Sequence, residues 1–127
     1  MSKRFWMAAL CLTTGWAPIA DAQELTRQQQ NAARTAQNYL GISGFSRHGL
    51  IEQLSSSAGS GYEVGDATAA VDSMGIDWNA QAVKSATQYL AMTGFSCDGL
   101  IEQLSSTAGS QYTLEEASYG AQQAGAC

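Results

Sequence analysis

A twelve-residue stretch occurs twice in this chain, at a fixed offset of 50 positions. Both copies follow G-F-S-x-x-G-L-I-E-Q-L-S, at 44–55 and 94–105, and differ only at Arg47/Cys97 and His48/Asp98. The match continues outward without insertion or deletion, from 39 paired with 89 to 62 paired with 112. A period of this size indicates a duplicated supersecondary unit that buries its apolar face poorly alone. We therefore predict two copies of one small module.

The N-terminus has the features of an export signal. Lys3 and Arg4 form a basic start, Phe5 to Trp16 is mostly apolar, and Ala20-Asp21-Ala22 offers a cleavage site before Gln23. We predict a signal peptide at 1–22, a first repeat at 23–75 and a second at 76–127. Two alternatives stay open: an uncleaved signal that acts as an anchor, and a lipoprotein modified at Cys11.

Removal of the signal makes the chain more acidic. It takes Lys3, Arg4 and Asp21 from six basic and eleven acidic residues, which leaves four against ten and a net charge of −6. An acidic surface is repelled by phosphate backbones, so nucleic acid is not an expected partner. A basic protein segment fits this charge better.

The mature chain keeps two cysteines, Cys97 and Cys127. In an exported protein such a pair favours one disulfide, which would attach the C-terminus to the second module. The first module has no cysteine and is expected to need no such link, because its last helix continues into Trp78. Two free buried thiols are the alternative. No C-x-x-C or His/Cys cluster indicates a metal, and we expect no cofactor.

The modules are predicted to be helical throughout. Residues 24–40 are good helix formers with an apolar stripe at helical spacing, which recurs one repeat later. Gly44 and Gly94 follow these helices and suit a turn with positive φ. Ser46 and Ser96 then suit the N-caps of short second helices, at about 47–55 and 97–105.

The third helices of the two modules should differ in how well their N-termini are capped. Thr113 and Glu116 fit a capping box in the second copy. The first copy has Glu63 and a glycine there and lacks the hydroxyl, so its helix should start less firmly.

Trp78 lies between the modules, where packing is the expected role and ligand stacking the alternative. We expect His48, the single histidine, to be a surface residue. The predicted fold is all-α, with two tandem three-helix units that resemble a helix-turn-helix.

These residues together resemble the Ltp-like repeat, the family of host cell surface-exposed lipoproteins. The motif positions are Ala36, Tyr39, Leu40, Gly44, Phe45, Ser46, Gly49, Leu50, Ile51, Gln53, Leu54, Ser55, Tyr62, Ala67, Ala70, Val71, Asp72, Gly75, Ile76, Asp77 and Trp78, with second-copy counterparts from Ala86 to Tyr112. The chain departs from the family pattern by its weak lipidation site at Cys11 and by its pair of later cysteines. Both departures favour a soluble periplasmic protein in a Gram-negative host.

The resemblance implies superinfection exclusion. A prophage-encoded member is exported and blocks DNA injection by a later phage, and the implied partner is the incoming tape measure protein. Acidic side chains are the first candidates for contacting it: Glu52, Glu63, Asp66, Asp72, Asp98, Glu102, Glu115 and Glu116. Solvation of helix surfaces is the simpler role for any one of them.

The sequence gives less support to other classes of function. A DNA-binding role would use the same short helices, but the charge and the signal oppose it. No nucleophile motif accompanies the lone His48, so we expect no enzyme activity. A periplasmic envelope protein with a structural or inhibitory role, unrelated to phage, is the remaining alternative.

Overall fold

The computed structural model describes residues 24–127, which form six α-helices and no strand. The predicted signal peptide and Cys11 lie outside the described residues. The helices are α1 (Arg27–Ile42), α2 (Arg47–Ser55), α3 (Val64–Ser73), α4 (Trp78–Met92), α5 (Cys97–Ser105) and α6 (Leu114–Gln123). The predicted all-α fold of two three-helix modules is confirmed.

The third helix organises each module, because it packs against both of the others. α3 contacts α1 and α2, and α6 contacts α4 and α5. Alanines on the long and third helices let their backbones approach closely, while two leucines of each short helix fill the remaining space. Each module therefore has its own core: Ala36, Leu50, Leu54, Ala67 and Val71 in the first, and Ala82, Ala86, Leu100, Leu104, Tyr112, Ala117 and Ala121 in the second.

Side-chain caps place the starts of five helices. Ser46 and Ser96 each accept a hydrogen bond of 2.9 Å from the amide three residues later, as predicted. Thr113 and Glu116 form the predicted capping box, and Glu63 offers no side-chain cap to α3. Asp77 caps α4. A capping box at Thr26 and Gln29, which sequence analysis missed, makes α1 begin at Arg27 instead of residue 24.

The prediction of positive φ at Gly44 and Gly94 was wrong. α1 and α4 end instead at extended residues, Ser43 and Thr93, with φ of −151° and −161°. Gly44 is needed for a different reason: a Cβ there would lie 2.5 Å from Ser85 Oγ and 2.9 Å from the Gln81 carbonyl oxygen. The turn therefore requires glycine because it lies directly against α4.

The repeated motif builds the same aromatic network in both modules. The rings of Tyr39 and Phe45 meet edge to face at 5.8 Å. The Tyr39 hydroxyl lies 2.8 Å from Ser60 Oγ and accepts from Gln53 Nε2 at 3.4 Å. The second module repeats each contact, with Tyr89, Phe95, Ser110 and Gln103. The motif residues thus specify the module and leave the polar surface to vary.

The two modules are held together through the turn between α1 and α2. Gln88 Oε1 accepts from the Gly44 amide at 3.1 Å, and Gln81 Oε1 accepts from the Phe45 amide at 3.1 Å. Lys84 Nζ donates to the Leu40 carbonyl at 2.6 Å. Trp78, as expected, has a packing role, and it lies against the core of the first module.

Both modules carry a link at the start of their short helix. In the second module Cys97 and Cys127 form the predicted disulfide, with Cα atoms 4.7 Å apart. In the first, Arg47 at the position of Cys97 forms an ion pair with Asp72. The expectation that the last helix of the first module continues into Trp78 was wrong, because α3 ends at Ser73 and a new helix begins at Trp78.

Candidate functional site

Half of the eight predicted carboxylates are engaged within the protein. Glu52 accepts from Gln111 Nε2 of the other module at 2.8 Å, and Asp66 accepts from Gln29 Nε2 at 3.2 Å. Asp72 is paired with Arg47, and Glu116 caps α6 by accepting from the Thr113 amide at 3.0 Å. These four side chains therefore make contacts within the fold.

The other four carboxylates are Glu63, Asp98, Glu102 and Glu115. All are exposed, and within residues 24–127 none forms a side-chain hydrogen bond or ion pair. Three of the four belong to the second module. Asp98 and Glu102 lie one turn apart on α5, which places them on the same helix face.

Apolar side chains flank these carboxylates. Leu114 and Val64, the first residues of α6 and α3, are 66% and 62% exposed. In the first module a shallow groove between α2 and α3 is lined by Val64, Ile51, Glu52, His48, Arg47, Ser55 and Thr68. The equivalent positions in the second module include Asp98, Ile101, Glu102 and Leu114. The second copy therefore replaces the arginine and histidine of the first with a cysteine and a carboxylate.

His48 is exposed on the first turn of α2, as predicted. Its position corresponds to Asp98, whose charge is favourable there because the free amides of a helix start carry a partial positive charge. Within residues 24–127 no cluster of three or more His, Cys, Asp or Glu side chains is arranged to hold a metal ion.

The pKa shifts follow hydrogen bonding and burial. The guanidinium of Arg47 lowers the pKa of Asp72, mainly through its hydrogen bonds. Hydrogen bonds to Ser60 and Gln53 lower the pKa of Tyr39. Burial raises the pKa of Tyr112, whose hydroxyl is enclosed against Ser85. All three groups belong to the scaffold and lie outside the set of four exposed carboxylates.

The charge is unevenly divided between the modules. The second module carries Lys84 against five carboxylates, and Lys84 is bound to the Leu40 carbonyl. The first carries three arginines against five carboxylates from residue 24 onward. The exposed negative field is therefore strongest on the second module.

Comparison with family models matches the chain twice, at 27–74 and 77–123, to the host cell surface-exposed lipoprotein family. The chain belongs to this family. The comparison with curated proteins finds no significant match.

Among solved structures, the chain is similar to Ltp, a superinfection exclusion protein from the Streptococcus thermophilus temperate phage TP-J34. The two are 30% identical with a TM-score of 0.70, over 78% of this chain and 97% of that chain. The protein is thus an Ltp-like member of the family. None of the helices within residues 24–127 combines the length and the hydropathy that a membrane crossing requires.

The acidic residues could be identified from the sequence, but their partners within the protein could not. Gln29 and Gln111 are the donors that engage Asp66 and Glu52, and neither stands out in the sequence. The first pair joins α1 to α3, and the second joins the two modules. Such contacts depend on how distant elements meet, so residue type alone offered no signal for them.

Proposed function

We propose that this protein is an exported superinfection exclusion protein that blocks DNA injection by a later phage. The observation that carries the proposal is the tandem match to the family, together with the likeness to a superinfection exclusion protein at 30% identity. The proposed partner is the tape measure protein of the incoming phage, contacted as it emerges in the periplasm.

The exposed carboxylates supply the proposed contact. Glu63, Asp98, Glu102 and Glu115 lie at the surface without internal partners in the described residues. A basic segment of the partner would be attracted over a distance of about one Debye length, roughly 8–10 Å at physiological ionic strength. Because single exposed ion pairs contribute only about 0.2–1 kcal/mol, several must act together.

The proposed periplasmic location follows from the predicted export signal. We propose cleavage after Ala22 and release into the periplasm, in preference to an uncleaved anchor or lipidation at Cys11. In the periplasm the protein would meet an injected phage protein before DNA reaches the inner membrane. Oxidising conditions there would also maintain the Cys97–Cys127 disulfide.

A phage challenge tests the proposal. Cells that express the full chain should adsorb a sensitive phage normally yet resist entry of its genome. Cells that express a version without residues 1–22 should stay sensitive, since the protein remains in the cytoplasm. Loss of adsorption, or unchanged plating across a broad panel of phages, would contradict the proposal and favour an envelope protein with a structural or inhibitory role.

A charge variant tests the surface. Glu102→Gln removes one carboxylate from α5 without removing an internal contact, and Glu24→Gln removes the same charge from an exposed position outside the candidate set. Protection should fall further with Glu102→Gln than with Glu24→Gln, and more again when Asp98→Asn is added. Equal loss in the two single variants would show that net charge matters and that α5 does not.

A further inference from the structure

Part of the contact between the modules pairs a turn with a helix face, beside the hydrogen bonds from Ser46 to the Ser110 carbonyl and from Gln111 to Glu52. The turn is 43–46, at the end of α1, and the receiving face consists of Gln81, Lys84, Ser85 and Gln88 on α4. Two hydrogen bonds to the face come from backbone amides of the turn, and Lys84 donates to the carbonyl of Leu40, on α1 just before the turn. Their geometry therefore depends on the shape of the module more than on particular turn side chains.

Because the modules are repeats, each half of this contact is present a second time. The second turn, 93–96, is largely exposed at the far end of the second module. The second receiving face, Asn31, Arg34, Thr35 and Asn38 on α1, is open on the first module, where Arg27, Gln30, Asn31 and Arg34 line a surface depression. Within the described chain, the turn 93–96 and the equivalent face of α1 therefore have no partner.

The chemistry of the second face matches that of the first at these four positions, although Gln28 replaces Trp78, which packs on the core of the first module. Arg34 is a cationic donor where Lys84 binds the Leu40 carbonyl, and the amides of Asn31 and Asn38 replace those of Gln81 and Gln88. Thr35 supplies a hydroxyl at the position of Ser85. On the turn, Thr93 and Ser96 keep the hydroxyls of their counterparts, and Ile42 and Met92, each 75% exposed, flank the two equivalent regions.

Gly94 is the most informative residue of the unpaired turn. Gly44 is required because a Cβ would collide with Ser85 and Gln81. At Gly94 a Cβ would meet nothing within 4 Å, and φ is not positive. Nothing inside the described chain requires glycine there, whereas a second copy of the α1 face packed against the turn would require it.

We infer that the protein associates end to end with a second copy of itself, with the turn 93–96 of one copy seated on the α1 face of the next. Charge supports this polarity, since Arg34 lies on the receiving face and Arg27 lines the depression beside it, while Asp98 follows the turn that the face receives. The contact is heterologous, so it does not close on itself and further copies can add. The inference does not depend on phage exclusion.

The association should be weak. Within the chain, the covalent connection holds the two halves together at a high effective concentration, which separate copies lack. Residues 24–26 of the second copy and residues 124–126 of the first are both equivalent to 74–76, so the two segments would compete for the same place. Association therefore requires residues 24–26 to move aside, including the Thr26 cap of α1, which weakens it further. We expect dissociation constants between about 10 µM and 1 mM.

Sedimentation velocity of the oxidised chain without residues 1–22 tests the inference. The weight-average mass should rise with concentration up to about 1 mM. Gly94→Gln should lower the association constant by about tenfold or more, because the side chain would overpack the contact. Gly65→Gln is the matched control, since Gly65 also has open space around it and belongs to neither the turn nor the receiving face. A monomer throughout, or equal association of these two variants, would overturn the inference.

A mixing experiment tests the polarity and controls for folding. Arg34→Glu should also abolish association, by placing a negative charge on the receiving face. Gly94→Gln retains an intact face and Arg34→Glu an intact turn, so an equimolar mixture should form dimers that grow no further. Circular dichroism should show wild-type helix content for both variants. A mixture that stays monomeric while the wild type associates would overturn the head-to-tail arrangement.

Discussion

Arg47 donates two parallel hydrogen bonds to Asp72, of 2.8 Å from Nε and 2.9 Å from Nη2, at the place where the other module has a disulfide. The ion pair joins the start of α2 to the end of α3. Cys97, at the position of Arg47, is bound to Cys127 just beyond the end of α6. The two modules therefore stabilise the same junction by different chemistry, and they should respond differently to pH and to reductant.

Asp72→Asn should lower the free energy of unfolding at pH 7 by at most about 1 kcal/mol, because both partners are about half exposed, at 46% and 50%. Arg47 lowers the pKa of Asp72, so the folded protein keeps this carboxylate ionised to lower pH than the unfolded chain. The pair stabilises the fold above the ordinary carboxyl pKa of about 4, and its contribution is lost as the pH falls through the lowered value.

Urea unfolding across this pH range measures the effect. The difference in stability between the wild type and Asp72→Asn should shrink as the pH falls below about 4. Glu63→Gln serves as the control, since Glu63 forms no side-chain hydrogen bond to the start of α3. A difference that stays constant with pH would mean that Asp72 acts by packing and not by its charge.

Reduction of the Cys97–Cys127 disulfide should lower the free energy of unfolding by about 3–4 kcal/mol, from the loop entropy of a 30-residue separation. This exceeds the expected effect of Asp72→Asn several times over. Denaturation with and without reductant measures it, and the double variant Cys97→Ser/Cys127→Ser should not respond to reductant. If the reduced wild type were as stable as the oxidised protein, the C-terminal link would have no structural role.

Tyr112→Phe should lower the free energy of unfolding by about 1–3 kcal/mol, because it leaves buried polar groups without a partner. Tyr112 is 3% exposed, its hydroxyl lies 2.7 Å from Ser85 Oγ, and it donates to the Gln81 carbonyl at 2.9 Å. Tyr62→Phe is the matched control in the first module, where the hydroxyl lies 3.0 Å from Thr35 Oγ1 in a half-buried site. In thermal unfolding, Tyr112→Phe should have a lower Tm than Tyr62→Phe, and the opposite order would contradict the role of burial.

Gly44→Ala should destabilise the protein by about 1–3 kcal/mol, because the added methyl group would force the turn away from α4. Gly94→Ala should be close to neutral at low concentration, since its Cβ meets nothing within 4 Å. Urea midpoints of the two variants measure the difference. Equal effects would show that the contact between the modules tolerates an extra methyl group at Gly44.

The module could be predicted well because its features are local or periodic. Ser46 and Ser96 cap their helices through amides three residues away, and the Thr113 capping box is equally local. The alanine and leucine stripes repeat at helical spacing and become the two cores. The Cys97–Cys127 disulfide could be predicted because only two cysteines follow the predicted signal peptide.

The candidate site could be predicted only as a set of residue types. Asp72 and Glu102 are equivalent candidates by residue type, yet Asp72 is bound to Arg47 and Glu102 has no internal partner in the described residues. The partner of an acidic side chain is set by which helices meet in space. Arg47 and Asp72 are 25 residues apart, and no sequence pattern indicates that they are in contact.

The sequence by itself determined the repeat, the helices and their caps, since these depend on interactions within a few residues or on regular spacing. Tertiary structure alone decided which carboxylates remain available, why Gly44 must be glycine, and where one module meets the next. Those properties arise from the approach of distant segments, whose distances no local pattern encodes. The repeated motif thus identifies the module, while the packing of one copy against the other determines the surface that remains for a partner.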